Sequence, residues 1–140
     1  MKALKGILFW ILSLTWGLPM TLFGTLVAIG MLITGHKPKR FHYFIYFEVG
    51  KYWGGFEAGV FFFVSRNATL HTKQHEAGHG LQNIMLGWFM PIVISIPSAI
   101  RYWYRRFKQW RGYLLPPYDS IWFERWATTL GEKHFKEAEK

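Results

Sequence analysis

The sequence predicts an α+β fold in which one N-terminal transmembrane helix anchors a small domain made of a short β-hairpin and several helices. Three observations carry this prediction. Residues 6–35 contain no charged side chain, residues 41–49 and 56–64 are short stretches rich in aromatic and β-branched residues, and capped helical patterns occupy much of the remainder. We therefore expect an anchor at 1–36 and a folded domain at 37–140.

The composition favours contact with a lipid bilayer. Of the 140 residues, 51% are hydrophobic and 20% aromatic, including 8 Trp and 13 Phe, which is more than a soluble core of this size usually holds. The net charge of +9 could indicate nucleic acid, but the basic residues lie among aromatic and apolar stretches, as they do in membrane-facing segments. The absence of cysteine excludes disulfides and leaves histidines and carboxylates as metal ligands.

The uncharged run at 6–35 is longer than one bilayer crossing requires. As a helix it would reach about 45 Å, against a hydrocarbon core of about 30 Å, so we expect a tilted helix with a kink near Pro19. A signal peptide is disfavoured because the apolar region is too long and no A-x-A site follows. Lys37, Lys39 and Arg40 follow the run, against two lysines before it, which favours a cytoplasmic location for the rest of the chain.

The stretches 41–49 and 56–64 predict two strands that pair as a hairpin through the glycine-containing residues between them. The second strand leads towards a helix that can begin at Thr69 or Thr72. The free edge of such a strand could pair with an extended substrate backbone. Alternatively, both strands form a hydrophobic sheet packed against the helix or the membrane.

The pattern H-E-x-x-H occurs at His75, Glu76 and His79. On a helix, the two histidines project from one face about one turn apart, so both imidazoles can reach a single metal ion. Glu76 lies beside them, where a carboxylate can take a proton from a metal-bound water. This interpretation requires a third metal ligand.

Glu124 is the candidate for that ligand, because it lies on the otherwise apolar surface of a helix predicted at 121–130. A surface ion pair with Arg125 is the alternative. His71 is a rival ligand one turn before His75, but three imidazoles in a row on one straight helix reach a single ion poorly, since the outer two lie about 12 Å apart along the axis. The remaining histidines are unclustered; they are His36, His42 and His134.

Residues 81–100 are again uncharged and could form a second transmembrane span. If Glu124 is to bind the same ion as His79, however, both residues must lie on the same side of the membrane. The chain after His79 therefore cannot cross the membrane only once. We therefore expect the helix to end near Gly87 and a second helix to fold back, with 84–112 associated with the membrane. Residues 98–112 alternate basic and aromatic side chains, which favours a helix at the lipid headgroups over a nucleic-acid surface.

The sequence His75-Glu76-Ala77-Gly78-His79 followed by Glu124-Arg125-Trp126-Ala127-Thr128 resembles the gluzincin arrangement of zinc metallopeptidases, with H-E-x-x-H on one helix and E-x-x-A-D on the next. More narrowly, four segments resemble small bacterial membrane proteins that carry such a site: Trp53-Gly54-Gly55, His75 to Asn83, Ile96-Pro97-Ser98 and Trp122 to Gly131. The resemblance implies a zincin-like domain that binds one zinc ion (Zn²⁺) through His75, His79 and Glu124, with Glu76 as the general base.

One residue departs from this family pattern. Thr128 stands where E-x-x-A-D has an aspartate, which in gluzincins orients a ligating histidine. A threonine could orient the histidine less firmly than an aspartate does. Alternatively, Asp119 or Gln82 could orient it. Gln82 lies two turns from His75 on the predicted metal face.

The sequence therefore predicts an integral membrane protein, in the bacterial cell membrane by the resemblance, that hydrolyses peptide bonds at or near the membrane surface. The expected partners are the lipid bilayer and a peptide or protein substrate, with no nucleic acid. Candidates for stabilising the oxyanion are Tyr118, Tyr102 and Arg101, among which the sequence does not choose. The alternative is a non-catalytic metal-binding or structural membrane protein.

Overall fold

A computed structural model describes residues 2–51, 55–117 and 121–136. Within them the fold is α+β, with five α-helices and one four-stranded sheet. The helices are α1 (Lys2–Leu14), α2 (Leu18–Ile33), α3 (Leu70–Leu86), α4 (Ile96–Trp110) and α5 (Trp122–His134). The strands are β1 (Lys39–Phe41), β2 (Phe44–Glu48), β3 (Gly55–Ala58) and β4 (Phe61–Val64). A 3₁₀ turn at Gly87–Phe89 and a π-helical turn at Pro91–Ser95 join α3 to α4.

The sheet has the order β1-β2-β4-β3. Strands β1 and β2 form one antiparallel hairpin, β3 and β4 form a second, and the hairpins join through parallel pairing of β2 with β4. The predicted single hairpin between 41–49 and 56–64 is therefore wrong. Each stretch is interrupted by a two-residue turn, at His42–Tyr43 and at Gly59–Val60, so each belongs to a hairpin of its own. Both turns use left-handed backbone, with φ 55° at His42 and 73° at Gly59.

The N-terminal apolar run is broken into two helices, α1 and α2, which are bent by 93° relative to each other. Pro19 lies in the first turn of α2, where its ring is compatible with the helix. The break is tied to α3, because the side-chain amide of Asn83 donates a hydrogen bond to the Gly17 carbonyl at 3.2 Å. The chain thus turns sharply where the sequence predicts only a kink in one helix.

None of the helices in the described ranges is by itself both long enough and apolar enough to cross a bilayer. Two bent pairs meet that length and composition only when taken together. They are α1 with α2, and residues 70–89 with 91–110, which are bent by 117°.

The buried side chains form two clusters that include alternate residues of β4. Phe62 belongs to the first cluster together with Phe9 of α1 and Leu81 of α3. Phe63 belongs to the second together with Met20 of α2. Helices from the predicted anchor therefore pack in the same core as the sheet.

Helices α3 and α5 approach each other at small residues. A Cβ on Gly78 would overlap the carbonyl oxygen of Ala127, and a Cβ on Gly131 would overlap that of Gln74. The Gln74 side chain also donates to the Phe135 carbonyl at 2.7 Å. Close backbone contact thus sets how α3 and α5 face each other.

Candidate metal centre

The candidate metal ligands come from the two helices that pack so closely. Helix α3 begins at the Thr69 cap, whose side chain accepts a hydrogen bond from the Thr72 backbone N–H, and it carries His75 and His79. Helix α5 carries Glu124. One potential ligand atom from each of these three residues lies within 4.8 Å of the other two, and all three residues are buried.

These three residues could hold a metal ion. Two imidazoles and one carboxylate are one of the donor sets that catalytic zinc sites use, with one further position left open. With zinc–ligand bonds of about 2.0–2.1 Å, tetrahedral donors lie about 3.3 Å apart. Glu124 Oε1 lies 3.4 Å from His75 Nε2 and 2.7 Å from His79 Nε2, and the donor atoms of the two histidines lie within 4.8 Å of each other, so side-chain adjustment is needed for all three to bind one ion.

Without a metal, the three groups interact with one another electrostatically. Burial alone would lower the pKa of His79, but the Glu124 carboxylate at 2.7 Å outweighs that effect and raises the pKa to about 9. Burial alone would raise the pKa of Glu124, but His75 and His79 hold it well below its usual range. A proton on His79 and the negative charge on Glu124 thus stabilise each other in this cluster.

Gln82 contacts His79, which places it in the position to orient a ligating histidine that the sequence suggests for it. Its Oε1 lies 2.7 Å from His79 Nδ1, and its Nε2 donates to the Phe123 carbonyl at 2.9 Å. Because the Phe123 carbonyl can only accept, the Gln82 amide must present oxygen to His79, and Nδ1 must carry the hydrogen. In a neutral imidazole this leaves the Nε2 lone pair directed at the cluster.

Thr128 contacts the other histidine. Its Oγ1 lies 2.8 Å from His75 Nδ1, so the threonine occupies the place that the resemblance assigns to an aspartate, and its uncharged hydroxyl can accept from Nδ1 when Nδ1 carries the hydrogen. Asp119, the other candidate for this support, and Tyr118 lie outside the described residues.

Two residues of α4 lie next to the second carboxylate oxygen of Glu124, Oε2. Ser98 Oγ donates to Oε2 at 3.0 Å, and Arg101 Nη1 lies 4.0 Å from the same oxygen. Arg101 is thus placed beside a candidate ligand, while Tyr102 lines the adjoining cavity. Sequence reasoning did not assign Ser98 a role, because nothing in its local spacing relates it to a glutamate 26 positions later.

Glu76 is 5% exposed and lines a cavity of about 560 Å³ together with His75 and His79. Burial raises its pKa, an effect that the two histidines oppose and Glu124 reinforces. Gly55 of β3 lies close by, since a Cβ at that position would come within 3.0 Å of Glu76 Oε2. The Glu76 carboxylate is therefore part of the cavity wall, next to the candidate metal ligands.

Besides α3, four elements and Met90 line the cavity. Its other lining residues come from α2 (Met20, Phe23), β3 (Gly55, Phe56, Glu57), the π-helical turn (Ile94, Ser95) and α4 (Ser98, Ala99, Tyr102, Trp103, Arg106), together with Met90. The strand beside the site is the sheet-edge strand β3, whereas β4, which leads into α3, is paired on both sides. Of the stretch 56–64, the free edge therefore belongs to β3 and not to β4, the strand that leads into α3.

Sequence reasoning missed Glu57, which is 7% exposed in β3. Among the described residues, neither of its carboxylate oxygens accepts a well-aligned hydrogen bond. A glutamate inside an apolar aromatic strand is the signal that could have identified it, because an isolated buried carboxylate is costly.

The other histidines lie apart from the cluster in the described structure. His71 is 3.7 Å from Glu132 at the surface, His36 is 2.9 Å from Thr34, and His134 is near Phe135. His42 packs against Phe41 in the β1–β2 turn.

Comparisons of the chain with protein-family models, with curated proteins and with solved structures found no significant match. The chemistry open to the cluster therefore follows from its own donors, distances and surroundings. Those point to a buried two-histidine, one-carboxylate site beside a cavity that also contains the Glu76 carboxylate.

Proposed function

We propose that the protein is a membrane-associated zinc metallopeptidase that hydrolyses peptide bonds at or near the membrane surface. The observation that carries this proposal is the convergence of His75, His79 and Glu124 from two helices, with the Glu76 carboxylate on the wall of the adjoining cavity. The resemblance of the two motifs to gluzincins supports the same choice of metal and reaction.

In this proposal, His75, His79 and Glu124 would hold a zinc ion, which would supply a Lewis acid for activating water and polarising the scissile carbonyl. Glu76 accepts the proton from the attacking water and passes it to the leaving amine. The raised pKa of this buried carboxylate suits both steps, because it binds the proton more readily than an exposed glutamate would.

Hydrogen bonds from three directions keep the ligands in place. Gln82 holds His79, Thr128 holds His75, and Ser98 holds the oxygen of Glu124 that is not directed at the histidines. Ligands oriented in this way need little rearrangement when the metal or the substrate binds.

The distribution of exposed apolar side chains supports membrane association. Many large apolar residues of α1, α2, the segment after α3, and α4 are exposed, whereas soluble proteins rarely expose large apolar patches. Examples are Leu4, Ile7, Leu8, Ile11, Leu22, Leu26, Ile29, Ile33, Trp88, Phe89, Ile92, Ile100, Trp103, Phe107 and Trp110. We assign these surfaces to the bilayer and place α3, with its buried polar face, outside it. The charge difference across residues 6–35 favours a cytoplasmic site.

Metal analysis and a paired set of variants test the proposal. The purified protein is expected to contain about one zinc per chain, which His79→Ala loses and Glu76→Gln keeps. The wild type is expected to cleave members of a labelled peptide library, and Glu76→Gln to lose that activity by at least about a hundredfold. Glu132→Gln is the matched control, because Glu132 is exposed at the end of α5 and distant in sequence from the motif.

The outcomes separate the two function classes. A protein without stoichiometric zinc would refute both the peptidase and the metal-binding alternative. Stoichiometric zinc without hydrolysis would favour the alternative of a non-catalytic metal-binding protein. Undiminished hydrolysis by Glu76→Gln would show that Glu76 is not the general base.

A topology experiment tests the membrane arrangement. Accessibility reporters at Lys73 and at Glu132 are expected on the same side of the membrane, because the helices that carry these residues pack together. Reporters on opposite sides would contradict the shared site.

A further inference from the structure

Glu57 is a buried carboxylate that the proposed reaction does not use. It lies in the sheet-edge strand β3, opposite Phe62 of β4, and lines the same cavity as Glu76 and His79. It is 7% exposed, and its oxygens accept no well-aligned hydrogen bond from the described part of the chain.

Burying a carboxylate in this way lowers the stability of the folded protein. Burial raises the pKa of Glu57 well above its usual range; the charge of His79 and the Gly59 amide oppose this rise, and Glu76 adds to it. A buried carboxylate whose charge and hydrogen-bonding capacity are only partly compensated destabilises the fold, so native proteins retain few of them. Because Glu57 lines the cavity, a further partner can reach it from outside the chain.

The chemistry of that partner follows from the group itself. A buried carboxylate is best satisfied by a cation that also donates hydrogen bonds, such as an ammonium group. Arg106 of α4 lines the same cavity but donates to the Tyr102 hydroxyl at 3.3 Å, and Arg101 of α4 lies 4.0 Å from Glu124. A second metal ion is disfavoured, because the described residues contain only one cluster of three potential ligands, and Glu57 is not in it.

We propose that Glu57 binds an ammonium group of the substrate beside the metal centre and thereby determines specificity. The ammonium group is either the free N-terminus of a peptide or a lysine side chain. This inference rests on the proposed function, since it places the substrate in the cavity that Glu76 lines. It makes Glu57 a binding residue that is separate from proton transfer.

The test measures binding rather than turnover. Three probes are used on the zinc-loaded protein in detergent: leucine hydroxamate, which has a free α-amine, and the N-acetylated hydroxamates of leucine and of lysine. Their dissociation constants are measured by calorimetry for the wild type, Glu57→Gln, Glu57→Asp and the control Glu48→Gln. Glu48 is a suitable control because it lies in β2 and pairs with Lys39 at 2.7 Å on the protein surface.

The wild type is expected to bind one ammonium-bearing probe about 10- to 100-fold more tightly than N-acetyl-leucine hydroxamate. Preference for leucine hydroxamate would identify the N-terminus as the source, and preference for the lysine probe would identify the side chain. Glu57→Gln is expected to abolish the preference, Glu57→Asp to restore part of it, and Glu48→Gln to leave it unchanged.

Failure of the inference differs from failure of the proposed function. Zinc-loaded protein that binds all three probes equally, or whose preference survives Glu57→Gln, would overturn the role of Glu57 while leaving the peptidase intact. Absence of stoichiometric zinc would overturn the proposed function and this inference with it. Circular dichroism of each variant and its zinc content exclude loss of folding as the cause of weak binding.

Discussion

The side chain of Gln82 connects His79 to the neighbouring helix, because its oxygen lies 2.7 Å from His79 Nδ1 and its nitrogen donates to the Phe123 carbonyl on α5. Phe123 directly precedes Glu124, the ligand that α5 contributes. One amide therefore orients a ligand of α3 and fixes the start of the helix that carries another.

We expect Gln82→Leu to lower zinc affinity by about 10- to 100-fold, because His79 loses the acceptor that selects its tautomer. Competition with a chromophoric chelator measures the change. Gln109→Leu, which alters an exposed glutamine of α4, is the control and is expected to bind zinc as the wild type does. Equal affinity for Gln82→Leu would show that the amide does not orient the ligand.

We expect Thr128→Val to weaken zinc binding by about tenfold, because the near-isosteric valine cannot accept a hydrogen bond from His75 Nδ1. Thr128→Asp is expected to bind zinc at least as tightly as the wild type, since a carboxylate accepts from the same nitrogen. The same chelator competition measures both variants. Weaker binding by the aspartate variant than by the valine variant would contradict this role.

We expect Gly78→Ala to destabilise the protein by about 1–3 kcal/mol or more, because the added methyl group forces α3 away from the Ala127 carbonyl. Zinc affinity is expected to fall as well, since the ligands come from both helices. Gly30→Ala is the matched control: it is also a helical glycine, but a Cβ there meets no atom within 4 Å. The control is expected to be neutral or slightly stabilising in thermal unfolding.

The buried Glu57 predicts a dependence of stability on pH. Because burial raises its pKa above the ordinary 4.5, the folded protein binds more protons at this position than the unfolded chain does. Its contribution to stability is therefore greatest below the unfolded-state pKa and declines as the pH rises towards the folded-state pKa. The neighbouring Glu76 and His79 influence the same equilibrium.

We accordingly expect Glu57→Gln to gain stability relative to the wild type as the pH rises from about 5 to about 8. Thermal unfolding of the metal-free proteins at a series of pH values measures the difference. Glu48→Gln serves again as the control and is expected to show no such trend. A difference that stays constant with pH would show that Glu57 is not ionised on unfolding.

Local sequence patterns were sufficient to predict where α3, the helix that carries the motif, begins and ends. The cap at Thr69 and the end near Gly87 follow from the preference of threonine for N-caps and of glycine for left-handed backbone, here φ 58°. The placement of His75, Glu76 and Gln82 along that helix follows from its periodicity. The pairing with Glu124 required an inference about chemistry, because no local signal relates residues so far apart.

The sheet could not be predicted in the same way. His42-Tyr43 contains neither glycine nor proline, and Gly59 is surrounded by apolar residues, so each hairpin reads as one continuous strand. Parallel pairing of β2 with β4 depends on how the two hairpins pack, which local patterns do not specify. Ser98 and Glu57 were missed for the related reason that their roles depend on contacts across the fold.

The separation of Glu124 from His79 along the chain has a consequence for folding. A metal ion that joins these residues closes a loop of about 45 residues, so it acts as a reversible cross-link that restricts the unfolded chain. The loop contains α4, whose Ser98 contacts the same glutamate. Removing the ion would therefore release this cross-link, and closure of the loop would then depend on the packing of α3 against α5 and on the contact of α4 with Glu124.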